Sequence, residues 1–215
     1  MRTVKACIFD LDGVIVDTAR FHFLAWRRLA RELGGDLKES DNERLKGVSR
    51  MKSLEILLEI LNTDLDEKTK IDYATKKNNW YVEYVNSIDE KDILKGSQEF
   101  LRFLREQGIK TGLASGSKNA GLVLEKTGLI RLFDVVIDGN DTRYPKPDPE
   151  VFLKAAESLG EKPYNCIVFE DAQTGIDAAN TGGFISIGVG NPNILKNAVK
   201  IIPSFENIDY HELLL

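Results

Sequence analysis

The chain has few cysteines, few histidines and no long hydrophobic run, and each of these absences excludes a class of protein. Its 215 residues include two cysteines, Cys7 and Cys166, and two histidines, without a Cys-x-x-Cys pair, so a structural zinc site is not supported. Both cysteines lie in apolar runs and are predicted to be reduced core residues of a cytoplasmic protein. No apolar run approaches the roughly 20 residues of a membrane span, and we expect no signal peptide.

An excess of positive charge is also missing. The formal net charge is −5 and the pI is about 5.3, which argues against a nucleic-acid partner. Hydrophobic residues make up 42% and charged residues 29% of the chain, a balance typical of a globular protein with a sizeable core. We therefore expect no nucleic-acid partner and no membrane partner. Since no interface stripe is evident, we also expect a monomer.

Short apolar runs alternate with helical patterns along most of the chain. The pattern predicts strands at 5–9, 109–114, 135–137, 166–169 and 185–189, a further short strand near 201, and helices at 97–107, 120–127, 149–159 and 174–180. Strands that alternate with helices indicate an α/β fold, a Rossmann-like parallel sheet with helices on both faces. Gly108, Gly128, Gly160 and Gly182 follow helical stretches, where left-handed C-caps are expected.

One long segment interrupts this alternation. No strand is predicted between residues 16 and 90, while 17–33, 53–61 and 67–85 have helical patterns. The sequence therefore predicts a core domain of residues 1–15 and 92–215, with a helical cap domain, residues 16–91, inserted after strand 1. Because the chain leaves and re-enters the core at one place, we expect a hinge there and a cap that acts as a lid over the end of strand 1.

Two carboxylates, Asp10 and Asp12, end the first predicted strand. Residues two apart on a strand share a face, so both side chains are expected to point the same way. Gly13 then permits a sharp turn. Open α/β sheets bind ligands at the carboxyl ends of their strands, which makes this pair a candidate site. A solvated strand end is the alternative, since aspartate is common in turns.

Further polar groups follow the second and third strands. Ser115-Gly116-Ser117-Lys118-Asn119 lies between a strand and a helix, where hydroxyls and free N–H groups bind phosphate, although such residues also serve as simple caps. Lys146 lies between Pro145 and Pro147, so its backbone is stiff and suits a cation held in a fixed position. The same loop is alternatively the start of the next helix.

An acidic pair, Glu170-Asp171, follows the fourth strand. Several carboxylates at one edge would repel strongly, since two like charges 4 Å apart cost about 4 kcal/mol at an effective dielectric of 20. Such a cluster requires a cation, and oxygen ligands without cysteine or histidine suit Mg²⁺. The alternative, an acidic solvated rim, requires coincidences at four separate strand ends.

Together, these four strand ends resemble the haloacid dehalogenase-like hydrolases and phosphotransferases. The resemblance implies that Asp10 is a nucleophile that accepts a phosphoryl group and that Asp12 is a general acid/base. It implies that Ser115 and Lys146 hold the phosphoryl oxygens. The implied cofactor is Mg²⁺, with the metal ligands Asp10, Asp12 through its backbone carbonyl, Glu170 and Asp171.

The helical insertion resembles that of the small-cap subgroup, which contains sugar-phosphate phosphatases and sugar-phosphate mutases. Similarity to the mutases, carried by residues 17–26, 45–53, 76–81 and 114–119, implies interconversion of β-D-glucose 1-phosphate and glucose 6-phosphate through glucose 1,6-bisphosphate. The alternative is a phosphatase acting on a sugar phosphate or another small metabolite. A non-catalytic binding protein on this fold is a third hypothesis, which the complete set of strand-end residues disfavours.

The mutase resemblance also implies a distal phosphate site and contacts from the cap. Arg50 would bind the second phosphate, and Trp26 and Lys77 would flank the sugar. The implied substrate-binding residues are Trp26, Lys46, Gly47, Val48, Ser49, Arg50, Ser53, Lys77, Gly116, Ser117, Lys118 and Asn119.

The resemblance also implies two residues that act on Asp12. Thr18 is expected to form a hydrogen bond with Asp12, with a helix cap as the alternative. His22 is expected to couple lid closure to Asp12, with a structural histidine as the alternative. Gly116 and Ala172 depart from the mutase pattern.

Overall fold

A six-stranded parallel sheet forms the centre of the molecule. The computed structural model describes residues 4–213, so the predicted core limits at 1 and 215 lie outside the described residues. The strand order is β3-β2-β1-β4-β5-β6. The strands are β1 (Ala6–Phe9), β2 (Lys110–Ala114), β3 (Val135–Ile137), β4 (Cys166–Glu170), β5 (Ile185–Val189) and β6 (Lys200–Ile202). The predicted parallel sheet is confirmed, including the short last strand.

Helices cover both faces of the sheet, because each parallel connection must return to the edge where it began. The core helices are α5 (Ser97–Glu106), α6 (Ala120–Lys126), α7 (Glu150–Ser158) and α8 (Gln173–Thr181). On one face Phe9 stacks on Phe169, with ring centroids 4.8 Å apart, and Phe100 meets both rings. On the other face Ile8 and Val168 pack in a separate cluster with residues of α7 and α8. Buried on both faces, β1 and β4 read as continuous apolar runs.

The segment between β1 and α5 contains helices and isolated bridges but no strand. The α-helices are α1 (Ala19–Glu32), α2 (Glu39–Asn42), α3 (Arg50–Ile60) and α4 (Glu67–Val85). The predicted span of α4 is confirmed. The structure adds α2, which was not predicted because four residues are too few to show a helical period. It also starts α3 at Arg50, earlier than predicted, since Ser49 caps it by accepting a hydrogen bond from the Lys52 N–H at 3.2 Å.

The two crossings between sheet and helical segment are bonded to each other. Val16 forms bridges to Asp12 and to Ile93, the Asp17 N–H donates to the Asp92 carbonyl at 2.8 Å, and the Leu94 N–H donates to the Ile15 carbonyl at 2.9 Å. This arrangement supports the division into residues 1–15 plus 92–215 and a cap of 16–91, which stays a prediction.

One predicted helix end is wrong. Gly108, Gly128 and Gly160 have φ of +70, +71 and +70° and confirm the expected C-caps. Gly182 does not, because α8 runs to Thr181 and Gly182 keeps a helical φ of −75°. The left-handed residue is Gly183, with φ of +78°. Within residues 4–213, no helix is both long and apolar enough to cross a membrane.

Candidate active site

A buried lysine joins two carboxylates at the carboxyl edge of the sheet. Lys146 Nζ lies 2.5 Å from Asp10 Oδ1 and 2.7 Å from Glu170 Oε2. All three residues are buried. Burial opposes the charge on Lys146, but the Asp10 and Glu170 carboxylates outweigh it and raise the pKa of the lysine. The lysine is therefore a permanent cation beside Asp10.

A third carboxylate completes an acidic cluster. Oxygens of Asp10, Glu170 and Asp171 lie within 4.8 Å of one another. Burial raises the pKa of Glu170 to about 7, and burial together with Glu170 raises the pKa of Asp171 well above its usual value. Two lysines, Lys146 beside Asp10 and Glu170 and Lys46 beside Asp171, do not fully compensate three such groups. An all-oxygen donor set that is short of positive charge fits a hard divalent cation.

Glycine makes this cluster possible. Gly13 has φ of +83°, and a Cβ at this position would clash with the Asp171 carboxylate. The turn after β1 therefore lets Asp171 reach the edge of the sheet beside Asp10. The sequence predicted the turn but not this close approach.

Asp12 lies in a different environment. Its backbone N–H donates to Asp10 Oδ2 at 2.9 Å, while its carboxylate accepts a hydrogen bond from the Thr18 hydroxyl. Burial and the nearby Asp10 raise the pKa of Asp12 to about 6, although Thr18 and two lysines lower it. A carboxyl that titrates near neutrality suits proton transfer. Thr18 occupies the position before α1 but makes no capping bond with its side chain; its hydroxyl contacts Asp12 and lies 3.4 Å from the Val16 carbonyl.

Residues of the cap lie next to the Asp12 side chain. His22 Nε2 lies 3.7 Å from Asp12 Oδ1, and the His22 ring stacks on Tyr81 at 3.9 Å between centroids. Lys77 is buried, with Nζ 4.5 Å from the centre of the Trp26 ring and 5.1 Å from that of Tyr81. The cap therefore brings a histidine and a lysine to the acid/base candidate.

A second cationic position occurs within the cap. Arg50, at the start of α3, is half-buried, and its Nη2 donates to Asn78 Oδ1 at 2.7 Å. Burial lowers its pKa. No carboxylate among residues 4–213 forms an ion pair with Arg50, although most arginines of the cap have one. A half-buried cation without a counter-ion suits an anionic ligand.

A cap loop rests directly on the core. Lys46 Nζ lies 3.6 Å from Asp171 Oδ2, and the Thr174 hydroxyl of α8 donates to the Lys46 carbonyl at 3.4 Å. Gly47, with φ of +68°, has no room for a side chain, since a Cβ would clash with Thr174 and lie 2.9 Å from Ala172 Cβ. The cap is thus closed on the core at this loop.

Cap and core enclose a cavity of about 450 Å³. Most of the predicted site residues line it: Asp10, Asp12, His22, Trp26, Lys46, Gly47, Val48, Ser49, Arg50, Ser53, Lys77, Gly116, Ser117, Lys118, Asn119, Lys146 and Asp171. Thr18, Ser115 and Glu170 are buried next to the residues that line the cavity but do not line it themselves.

Two serine hydroxyls of the site bond to the backbone. Ser115 Oγ accepts from the Ser117 N–H at 3.1 Å, and Ser53 Oγ donates to backbone carbonyls of the cap. These two hydroxyls therefore stabilise loops of the site.

A model of the haloacid dehalogenase-like hydrolases matches residues 4–183. The chain belongs to this family. It is 40% identical over 201 residues to a β-phosphoglucomutase of Bacillus subtilis, covering 93% of this chain and 89% of that protein. It is 33% identical to a phosphorylated carbohydrates phosphatase of Thermotoga maritima, covering 84% of this chain and 82% of that protein. A crystal structure of β-phosphoglucomutase from Clostridium difficile has a TM-score of 0.93 and 43% identity, covering 98% and 95% of the two chains.

The segment 76–81, named above for its similarity to the mutases, contributes residues to this haloacid dehalogenase-like site that the sequence analysis did not assign to ligand binding. Asn78 lines the cavity beside Arg50, and Tyr81 packs on His22. Ala74, Lys77, Asn78 and Tyr81 follow the i, i+3, i+4, i+7 spacing of one helix face. The polar asparagine on this face was the signal in the sequence that could have indicated a binding residue.

The two departures from the mutase pattern lie in different surroundings. A Cβ at Gly116 would meet nothing within 4 Å, so the space there does not require glycine. Ala172 is buried, and its N–H donates to Glu170 Oε1 at 3.0 Å. This backbone contact does not depend on the missing hydroxyl.

Proposed function

We propose that this enzyme is a β-phosphoglucomutase that interconverts β-D-glucose 1-phosphate and glucose 6-phosphate through glucose 1,6-bisphosphate and depends on Mg²⁺. Two of the similar proteins described above carry that name. The single observation that carries the proposal is the cation Arg50, which has no carboxylate partner among residues 4–213 and lines the same cavity as Asp10. A molecule with two phosphates needs a cationic site at each end, whereas a simple phosphatase needs only one.

Asp10 would carry the phosphoryl group. As phospho-Asp10 it transfers this group to the C6 hydroxyl of β-glucose 1-phosphate, and Asp12 takes the hydroxyl proton. The bisphosphate then binds in the other orientation, an Asp10 oxygen attacks the C1 phosphorus, and the bond from phosphorus to the C1 oxygen breaks. Asp12 returns its proton to that oxygen, which releases glucose 6-phosphate and restores phospho-Asp10. A pKa of about 6 lets Asp12 serve both half-reactions.

The acidic cluster would hold Mg²⁺. Side-chain ligands would come from Asp10, Asp171 and Glu170, with the Asp12 backbone carbonyl. Bound there, Mg²⁺ would offset the charge of the phosphoryl group and of the attacking carboxylate. Both Glu170 oxygens accept hydrogen bonds, from Lys146 Nζ and the Ala172 N–H, and both Asp10 oxygens do so as well, from Lys146 Nζ and the Asp12 N–H. We therefore expect Asp171 to be the side-chain ligand whose oxygens are most available to the metal.

Lys146 would hold the phosphoryl group at Asp10, and so would Ser115, whose hydroxyl accepts from the Ser117 N–H and keeps its own hydrogen to donate. Arg50, Ser117, Lys118 and Asn119 would hold the distal phosphate. Lys46, on the cap loop that rests on the core beside Asp171, would contact the sugar. Trp26 offers an apolar wall beside Lys77. A monomeric state and a cytoplasmic location, where sugar phosphates occur, remain predictions that light scattering and cell fractionation would test.

A phosphatase is the second candidate, since Asp10, Asp12 and Lys146 would serve both reactions and a phosphatase is among the similar proteins. The enzyme is incubated with Mg²⁺, β-glucose 1-phosphate and a trace of glucose 1,6-bisphosphate, and both glucose 6-phosphate and free phosphate are measured. We expect glucose 6-phosphate with little free phosphate. Free phosphate without glucose 6-phosphate would refute the mutase and favour the phosphatase.

Substitution of Arg50 tests the same point within one protein. We expect Arg50→Ala to reduce mutase turnover at least about a hundredfold, because a charge-assisted bidentate contact is lost. Hydrolysis of acetyl phosphate needs no distal site and should change by less than about twofold. Arg44→Ala is the matched control, since Arg44 is an exposed cap arginine paired with Glu59.

A further inference from the structure

We propose, on the basis of the proposed function, that Asn78 is a positioning residue that orients Arg50 toward the distal phosphate and makes this orientation depend on cap closure. Asn78 is on α4, Arg50 begins α3, and Asn119 precedes α6 in the core. The juxtaposition of these three residues, from two cap helices and one core loop, is what carries the inference.

One oxygen connects all three residues. Asn78 Oδ1 accepts from Arg50 Nη2 at 2.7 Å and from Asn119 Nδ2 at 3.0 Å. Both partners are donors, so the carboxamide can face them only with its oxygen. The first bond fixes the guanidinium within the cap, and the second crosses from the cap to the core. The second bond is therefore available only when the cap rests on the core.

The neutrality of Asn78 is important for this role. A carboxylate at the same place would orient Arg50 equally well, but it would neutralise the guanidinium and compete with a phosphate. In the part of the chain that the structure describes, Arg50 has a neutral acceptor and no carboxylate partner. The residue thus fixes the direction of the cation and leaves its charge for the ligand.

Binding measurements in an Asp10→Asn background test the proposal, because the ligand is then not turned over. The probes are glucose 1,6-bisphosphate and glucose 6-phosphate with Mg²⁺, followed by calorimetry. We expect Asn78→Ala to weaken bisphosphate binding about tenfold, and Asn78→Asp to weaken it further despite its retained acceptor oxygens. Asn79→Ala is the matched control, since Asn79 is the exposed next residue of α4, and it should bind like the parent.

Kinetics with Asp10 intact separate positioning from a structural defect. We expect Asn78→Ala to raise the KM for β-glucose 1-phosphate about tenfold and to leave acetyl phosphate hydrolysis within about twofold of the wild type. In Arg50→Ala, the further change Asn78→Ala should cost less than about twofold, because no guanidinium remains to be oriented.

The outcomes distinguish this inference from the proposed function. Equal bisphosphate binding by the parent and Asn78→Ala would overturn the inference, whatever the enzyme catalyses. Equal losses in bisphosphate binding and acetyl phosphate hydrolysis would overturn it as well, since they would indicate a general structural defect. The wild type could make no glucose 6-phosphate while Asn78→Ala still weakens bisphosphate binding. In that case the proposed function fails and the inference stands.

Discussion

Lys77 Nζ lies 2.8 Å from Nδ1 of His22, inside the cap. When Lys77 is protonated its ammonium group can only donate, so Nδ1 accepts and the ring proton is on Nε2, the nitrogen that lies 3.7 Å from Asp12 Oδ1. Burial, with a contribution from Lys77, lowers the pKa of His22 well below its usual value and keeps the ring neutral. The cap therefore presents an N–H group to the proposed acid/base, and Lys77 determines which nitrogen carries it.

Lys77→Met should stabilise the protein while reducing its activity. Lys77 is buried without a carboxylate partner among the described residues, and burial, then Arg50, lowers its pKa well below 10.5. We expect a gain of about 1–3 kcal/mol on removing this charge. Mutase turnover should fall at least about tenfold, because His22 loses the partner that sets its tautomer. Urea unfolding and steady-state kinetics measure the two effects.

The pH dependence of stability gives a second test of Lys77. Between its lowered native pKa and 10.5, the unfolded state binds more protons at this residue than the native state, so the stability of the wild type rises with pH there. Lys77→Met should lose this rise. The control is Lys76→Met, an exposed neighbour paired with Glu32, which should change stability by less than about 1 kcal/mol. A less stable Lys77→Met protein would contradict the argument.

Lys146→Met should destabilise the protein severely. It leaves the buried carboxylates of Asp10 and Glu170 without their shared cation, and breaking a buried ion pair costs about 3–5 kcal/mol. Part of the loss should be recovered in Mg²⁺, since a bound cation again offsets the carboxylates. Urea unfolding with and without Mg²⁺ measures both effects. Lys154→Met, at a surface pair with Glu150, should cost less than about 1 kcal/mol, and a similar cost for both variants would refute the buried pairing.

The sheet and its catalytic edge could be predicted because both depend on local patterns. Runs such as Cys166–Phe169 are apolar along their whole length, and the carboxyl ends of parallel strands converge at one edge wherever the strands pair. Asp10, Lys146 and Glu170 meet there as a consequence of topology. The family resemblance then supplied the expected roles.

The contacts between cap and core could not be derived in this way. Lys77 and His22 are far apart along the chain, as are Asn78 and Asn119, and each contact depends on how α4 packs against α1 or on where the closed cap rests. Periodicity identified these helices, but it carries no information about their docking. The same limit applies to Gly13, whose function depends on where the Asp171 side chain lies.

Asp171→Asn should weaken Mg²⁺ binding without unfolding the protein. Asp171 shares a cluster with Asp10 and Glu170 but forms no contact with Lys146, so its loss should leave the buried ion pairs intact. We expect at least about a tenfold loss of Mg²⁺ affinity in calorimetric titration, because a charged oxygen ligand is replaced by a neutral one. Asp72→Asn, at an exposed position of α4, is the control. Equal affinity in both variants would exclude Asp171 as a ligand.

Gly47→Ala should prevent the cap from closing. The new methyl group would clash with Thr174 and approach Ala172 Cβ to 2.9 Å, so the loop that carries Lys46 must move away from the core. A displacement of about 1 Å at a catalytic site can cost about a hundredfold in rate. We expect at least a loss of about tenfold in kcat/KM for β-glucose 1-phosphate, measured together with the midpoint of thermal unfolding.

The backbone strain of Gly47→Ala needs a control of its own, and Gly34 provides it. Gly34 has φ of +85°, close to the +68° of Gly47, but a Cβ there would meet nothing within 4 Å. Both alanine variants should therefore lose about 1 kcal/mol of stability from the left-handed conformation. Because Gly34→Ala introduces no clash with the core, its kcat/KM should remain within about twofold of the wild type. Equal kinetic losses in the two variants would mean that strain, rather than blocked closure, accounts for the effect at Gly47.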